Sequence, residues 1–277
     1  MRSTTLTTVG RPIDLSYPTN RAIAVASLLV MLGAIMLQRA AGTAWTYSVL
    51  WGAQAGLSFF LAWALCRELD PDHDLSAFLA AGLCLTGLVL WGLPRLAAVF
   101  WMILVLRVVN RTMGLPAGIL DSLGVFGLGI WLSLQGNWGY GVVTTVAFFL
   151  DSQLPGRAPR QLLFGILSVA GTLTAVIIGP APPWDAAPSL PGTMIALVIS
   201  ILFVPLIWET HSVTSVGDQT GEPLEPHRVR AAQIVALLVV LGGAFLGGIP
   251  TLLTLTPLWT AALGAALYWL YRALKPS

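Results

Sequence analysis

Arg67-Glu68-Leu69-Asp70-Pro71-Asp72-His73-Asp74 packs five Asp, Glu or Arg residues into eight positions, between two runs, 44–66 and 76–92, that carry none. Each run is close to the length needed to cross about 30 Å of hydrocarbon at 1.5 Å rise per residue. The octet therefore reads as a polar connection between two membrane helices, and the rest of the chain repeats the pattern. It is 277 residues long, 56% hydrophobic and only 9% charged, with a mean hydropathy of +0.82. A soluble chain devotes about a quarter of its residues to charge, and this one has too few to keep a surface in water.

The expected fold is an all-α integral membrane protein, a bundle of about ten transmembrane helices in a plasma or inner membrane. Apolar windows fall at roughly 22–38, 44–66, 76–92, 95–109, 118–134, 138–153, 161–179, 192–208, 231–248 and 251–273. The first is followed by Arg39 and preceded by a long polar stretch, so it reads as a retained helix rather than a signal peptide. The chain divides into a polar segment 1–20, an eight-helix core 21–208, a loop 209–230 and a terminal helix pair 231–277. Gly217, Gly221, Pro223 and Pro226 mark that loop as a turn-rich connection.

Short loops rich in Lys and Arg stay on the cytoplasmic side. With ten spans, the face of the N-terminus collects Arg2, Arg11, Arg21, Arg67, Arg107, Arg111, Arg157, Arg160, Arg228, Arg230, Arg272 and Lys275, and the other face only Arg39 and Arg95. Twelve against two implies cytoplasmic termini. On the outer side, Trp45, Trp91, Trp138 and Trp184 fit an interfacial aromatic belt. A net charge of +2 lacks the dense basic face that a nucleic acid requires, so the partner expected is membrane lipid. Cys66 and Cys84 have no ligand spacing around them and read as packing residues. Gly243 and Gly247, and Gly124, Gly127 and Gly129, are candidate packing seams. Pro205 and Pro257 are candidate kinks.

Ionisable groups inside spans are functional candidates by default. Leu-Asp-Ser occurs at 120–122 and again at 150–152, equidistant from Gly136. Asp121 and Asp151 therefore return to one depth, about 22 Å from the outer turn at 1.5 Å per residue. Arg107, Asn110 and Arg111 descend to the same level, and Glu209 and His211 end the eighth window there. Asp70, Asp72 and Asp74 alternate along a segment that Pro71 keeps out of helix, a pattern suited to a hard cation such as Mg²⁺. With Arg107, Asn110 and Arg111 on phosphate oxygens and Asp121 or Asp151 orienting or deprotonating an acceptor, the set outlines a site for a lipid or isoprenoid phosphate. The structural alternative is that Asp74 caps the third helix and that Arg107 pairs with Asp121 or Asp151 so that both can be buried. His73, His211 and His227 read as solvated loop residues.

The placement of the acidic loop and of Asp151, after the second and sixth windows, is similar to that of the Asp-rich motifs of intramembrane prenyltransferases of the ubiquinone-pathway kind. The motifs themselves differ: there is no Asn-Asp-x-x-Asp, and Ser152-Gln153-Leu154-Pro155 follows Asp151 without a second carboxylate. The likeness covers placement only. Three functional classes stay open: a Mg²⁺-dependent enzyme acting on a lipid or isoprenoid phosphate, a ten-helix transporter of a small or lipid-like substrate, and a non-catalytic membrane subunit or scaffold.

Overall fold

A computed structural model describes residues 7–11, 13–180 and 190–275. Trp184, one of the expected belt residues, lies outside them. Ten helices follow in order: α1 (Pro18–Ala40), α2 (Trp45–Leu69), α3 (Asp74–Trp91), α4 (Leu96–Asn110), α5 (Ile119–Leu134), α6 (Gly139–Gln153), α7 (Arg160–Ile178), α8 (Leu190–Glu209), α9 (Pro226–Thr254) and α10 (Thr256–Leu274). Among the described residues there is no strand. By length and composition six helices can cross a membrane: α1, α2, α3, α7, α8 and the first part of α9. A seventh is reached if the bent pair Gly248–Thr254 and α10 counts as one span. The architecture is that of a helical membrane protein.

The apolar windows became helices because each is a long apolar run, in which single glycines and prolines are tolerated, ended by a turn residue or a charge. Gly92 (φ 88°) stops α3 and Gly136 (φ 100°) turns the chain between α5 and α6, both in the left-handed region that costs glycine nothing. The last helical stretch departs from expectation. α9 carries on to Thr254 with a break at Gly248 (φ 61°, ψ −156°), and Pro250 follows the break. The segment Gly248–Thr254 lies at 81° to α10. Pro257 starts α10 rather than kinking a helix, because its missing N–H falls where a first turn has no use for one.

Hydrogen bonds across the connections sort the loops into two faces. At one face, Asp72 accepts from the backbone N–H of Ser215 (2.8 Å), Arg111 donates to the carbonyl of Gly156 (2.6 Å) and Arg272 contacts His73. The segment around Thr8 lies there too, donating to Asp121. At the opposite face, the N–H of Arg95 bonds the carbonyl of Thr254 (3.2 Å), Trp91 meets Trp259 edge-on, and Arg39 and Arg95 lie over the rings of Trp45 and Trp131. Successive helices therefore run antiparallel.

α4 is the hub, packed by α2, α5, α6, α9 and α10. It is apolar on all sides until Arg107, as a helix enclosed by others must be. α10 packs on α2, α3 and α8, while α1 rests chiefly on α2. Cys66 and Cys84 are buried and unbridged, in keeping with a packing role. Glycines set the closest approaches. A Cβ on Gly264 would lie 2.7 Å from the backbone of Ala80, and one on Gly52 would lie 2.7 Å from the carbonyl oxygen of Met31. Of the expected seams, Gly129 meets Thr144 and Trp101, whereas Gly124 and Gly127 have nothing within 4 Å.

Gly264→Val is expected to push α10 off α3 and cost about 1–3 kcal/mol, as overpacking of a tight contact does. Gly124→Ala should be neutral or stabilising by up to about 1 kcal/mol. Thermal unfolding of the detergent-solubilised protein compares the two, and equal Tm values would show that the α3–α10 contact is loose.

Candidate functional site

The acidic octet does not converge on one point. Asp70 accepts from His73 Nδ1 (2.7 Å), Asp72 reaches the backbone N–H groups of Thr214 and Ser215, and Asp74, in the first turn of α3, pairs with Arg67. Three carboxylates thus serve three partners in three directions. Among the described residues no group of three His, Cys, Asp or Glu side chains has the arrangement to hold a metal ion. His73 is more than a solvated loop residue: it also contacts Arg272 through Nε2 (2.6 Å) and lies against the ring of Tyr268. The octet is a joint between the α2–α3 turn, the loop before α9 and the end of α10.

Among the described residues two carboxylates are fully buried, Glu68 and Asp151, and each organises a separate cluster. Glu68 accepts from Arg107 Nε (2.7 Å), Asn110 Nδ2 (3.0 Å) and Thr112 Oγ1 (2.6 Å). Asp151 Oδ1 accepts from Arg111 Nε (2.8 Å) and Arg228 Nη1 (2.7 Å), while its Oδ2 is buried with no partner among the described residues. The arginines spend their other donors on backbone carbonyls. Arg228 bonds those of Val109 and Pro155, and Arg111 bonds that of Gly156. Arg228 thus satisfies a carbonyl at the C-terminal end of α4, and both arginines also reach the Asp151 carbonyl in the last turn of α6, where carbonyls lack partners.

The expected pairings are corrected accordingly. Arg107 joins Glu68, not Asp121 or Asp151. Asn110 and Arg111 belong to different clusters. Asp121 sits in the first turn of α5 and accepts from Thr7, from Thr8 (N–H 2.7 Å, Oγ1 2.8 Å) and from Gly118 N–H (3.3 Å), so it caps that helix and ties down the N-terminal segment. Glu209 accepts from Trp269 Nε1 (2.5 Å). Arg111 is the only non-glycine residue with positive φ (53°) among those described. A side chain there costs about 1–2 kcal/mol, and the bond to Asp151 is what glycine at that position would forfeit.

Glu68, Arg228, Arg11 and Asp218 were not singled out from sequence. Arg11 and Asp218 pair (2.5 Å) over a polar hollow of about 310 Å³ that Arg67, Asp74 and Thr112 also line. Burial pushes the Asp218 carboxyl above its usual pKa, with Arg11 opposing the rise. Asp72 goes the other way: burial would raise it, but the bonds from Thr214 and Ser215 outweigh burial and hold it low.

A second hollow lies toward the opposite face. It is a cleft of about 270 Å³ between α6 and α9, floored by Trp101 of α4 and lined by Tyr140, Val142, Val146, Val235, Leu238, Gly242, Gly243 and Leu246. Asn137, Thr251 and Leu255 close its far end. Val142, Val146, Leu238 and Leu246 are each exposed by 39% or more, so the cleft opens sideways, along the flank of the bundle. A Cβ on Gly242 would meet nothing within 4 Å; the missing side chains of α9 make this space.

Fold and hollows together define a polytopic helical membrane protein with buried ion pairs near one face and an apolar lateral cleft toward the other. Comparison with protein-family models, with curated proteins and with solved structures gave no match.

Asp151→Ala leaves two guanidinium groups buried without their counter-charge and is expected to cost about 3–5 kcal/mol. Asp74→Asn, at a half-exposed pair, should cost no more than about 1 kcal/mol. Tm values of the purified variants test the contrast. Because the folded pKa of Asp72 is depressed, its contribution is complete above the ordinary Asp value of about 3.9 and is lost as pH falls through the lower folded value. Hydrogen exchange at Thr214 and Ser215 should accelerate in Asp72→Asn at neutral pH, and in the wild type only below about pH 4. Unchanged exchange in the variant would show that Asp72 does not hold the loop.

Proposed function

We propose that the protein is a ten-span membrane carrier of a lipid-like substrate, with its termini and polar loops in the cytoplasm, and that the substrate's hydrocarbon chain occupies the cleft between α6 and α9. The twelve-to-two division of basic residues supports the orientation. The observation that carries the function is the cleft, an apolar space open along the flank that meets acyl chains.

Its size is just below the roughly 300–1,000 Å³ of small-molecule sites, enough for one chain and not for a whole phospholipid. Lipid tails are as apolar as the cleft walls, so entry gains little from the hydrophobic effect, and selectivity must come from fit and from the few polar groups present. The pairing of Asp70, Asp72, Asp74, Arg107 and Arg111 with protein groups weighs against their use on Mg²⁺ and phosphate. The enzyme reading keeps one support, the polar hollow beside Arg11, Arg67 and Asp74. It requires that Asp74→Ala abolish turnover of a lipid phosphate without loss of folding.

Gly242→Leu should fill the cleft from within α9, where Leu is a better helix former than Gly by up to about 1 kcal/mol. In proteoliposomes, photolabelling of residues 138–146 and 235–246 by an alkyl diazirine should fall about tenfold, the equivalent of 1.4 kcal/mol, while Tm holds or rises. Labelling equal to the wild type would exclude the cleft as the binding site.

A further inference from the structure

We infer that the cleft between α6 and α9 selects an uncharged lipid whose head carries hydrogen-bond acceptors, with that head held by Asn137, Tyr140 and Thr251 at the face opposite the termini. This deepens the carrier reading and rests on it. The cleft is polarised along its length. Toward the face of the termini it is walled by Val146 and Val235, and at the other end stand the three polar side chains.

Their hydrogen-bonding capacity is open. Asn137 Oδ1 accepts from Gly139 N–H (3.1 Å), which leaves its amide NH₂ as a donor. The hydroxyls of Tyr140 and Thr251 have no partner among the described residues, although Tyr140 is only 6% exposed. Trp101 also lines the cleft but donates its N–H to Thr144 (2.9 Å), so it offers a ring face alone. A hydroxyl covered by an entering lipid loses its access to water and needs a new partner, and a carbonyl or hydroxyl oxygen on the ligand supplies one.

Among the described residues no Asp, Glu, Lys or Arg lines the cleft. A phosphate or an ammonium entering it would be desolvated with no counter-charge, the least favourable burial there is. A neutral acceptor meets no such penalty. Pocket and ligand then divide the work in the usual way of small-molecule sites, with apolar walls for the body and a few converging polar groups for orientation.

Four alkyl diazirine probes of equal chain length, ending in a methyl ketone, a phosphate, an ammonium or a plain methyl group, test this with the full chain in nanodiscs. The ketone is expected to label α6 and α9 at the cleft at least about tenfold more than the phosphate or the ammonium. Tyr140→Phe with Thr251→Val should reduce ketone labelling about threefold or more, the loss expected from unmaking one or two hydrogen bonds. The plain chain should be unaffected, which also shows that the double variant is folded. If the phosphate labels as well as the ketone while Gly242→Leu still blocks the plain chain, the head selectivity is overturned and the carrier reading stands. If the plain chain does not label the cleft in the wild type, the carrier reading falls and this inference with it.

Discussion

The arrangement of this bundle depends on two carboxylates that cannot be buried alone. Glu68 and Asp151 are wholly removed from solvent, and an isolated ionised carboxylate in such a place would cost several kcal/mol or more. α4 and the turn after it supply most of the compensation: Arg107, Asn110 and Thr112 for Glu68, and Arg111 for Asp151. Four positions at one helix end thus fix α2 on one side and α6 on the other. Arg228 adds α9 through the same Asp151 oxygen. The hub is held by charge at one end and by packing along the rest.

That division separates an end held by charge from one held by packing. α9 is anchored near its start by Arg228 and by Gln233, whose amide bonds the carbonyl of Leu69 (2.8 Å). From Val235 onward it lines the cleft, Gly242 leaves open space beside it, and the helix breaks at Gly248. Its polar anchors stand at the start, and its backbone is interrupted at the far end. The polar groups near the termini therefore set the frame, and the space for a ligand lies at the other end of the same helices.

The helices were legible in the sequence because lipid demands long apolar runs, and the two faces were legible because most of the described basic residues cluster in the connections of one of them. Which charges meet was not. Leu-Asp-Ser at 120–122 and 150–152 gave Asp121 and Asp151 a common depth, but depth says nothing of rotation about the helix axis, and one became a cap while the other took two arginines. Glu68 looked like part of a charged loop because it stands at the last turn of α2, yet it faces inward. Arg228 served only as a topological marker. The cleft was illegible for another reason: periodicity reports which faces carry apolar side chains, and a cleft is made by side chains that are absent, as at Gly242. Close approaches such as Gly264 on Ala80 are hidden likewise, since a glycine does not say what comes near it.

The lengths of α5 and α6 bear on the surrounding bilayer. At 16 and 15 residues they extend about 22–24 Å at 1.5 Å per residue, against a hydrocarbon thickness of about 30 Å. If both cross the membrane, as the proposed ten-span arrangement has it, the bilayer at this flank has to thin or expose polar ends, whereas α1, with 23 residues, is long enough for the full depth. Hydrophobic mismatch of this kind costs fractions of a kcal/mol per Å. On the ten-span proposal the bilayer is compressed along the flank of α5 and α6, and the mouth of the cleft, with α6 as one of its walls, opens onto that flank.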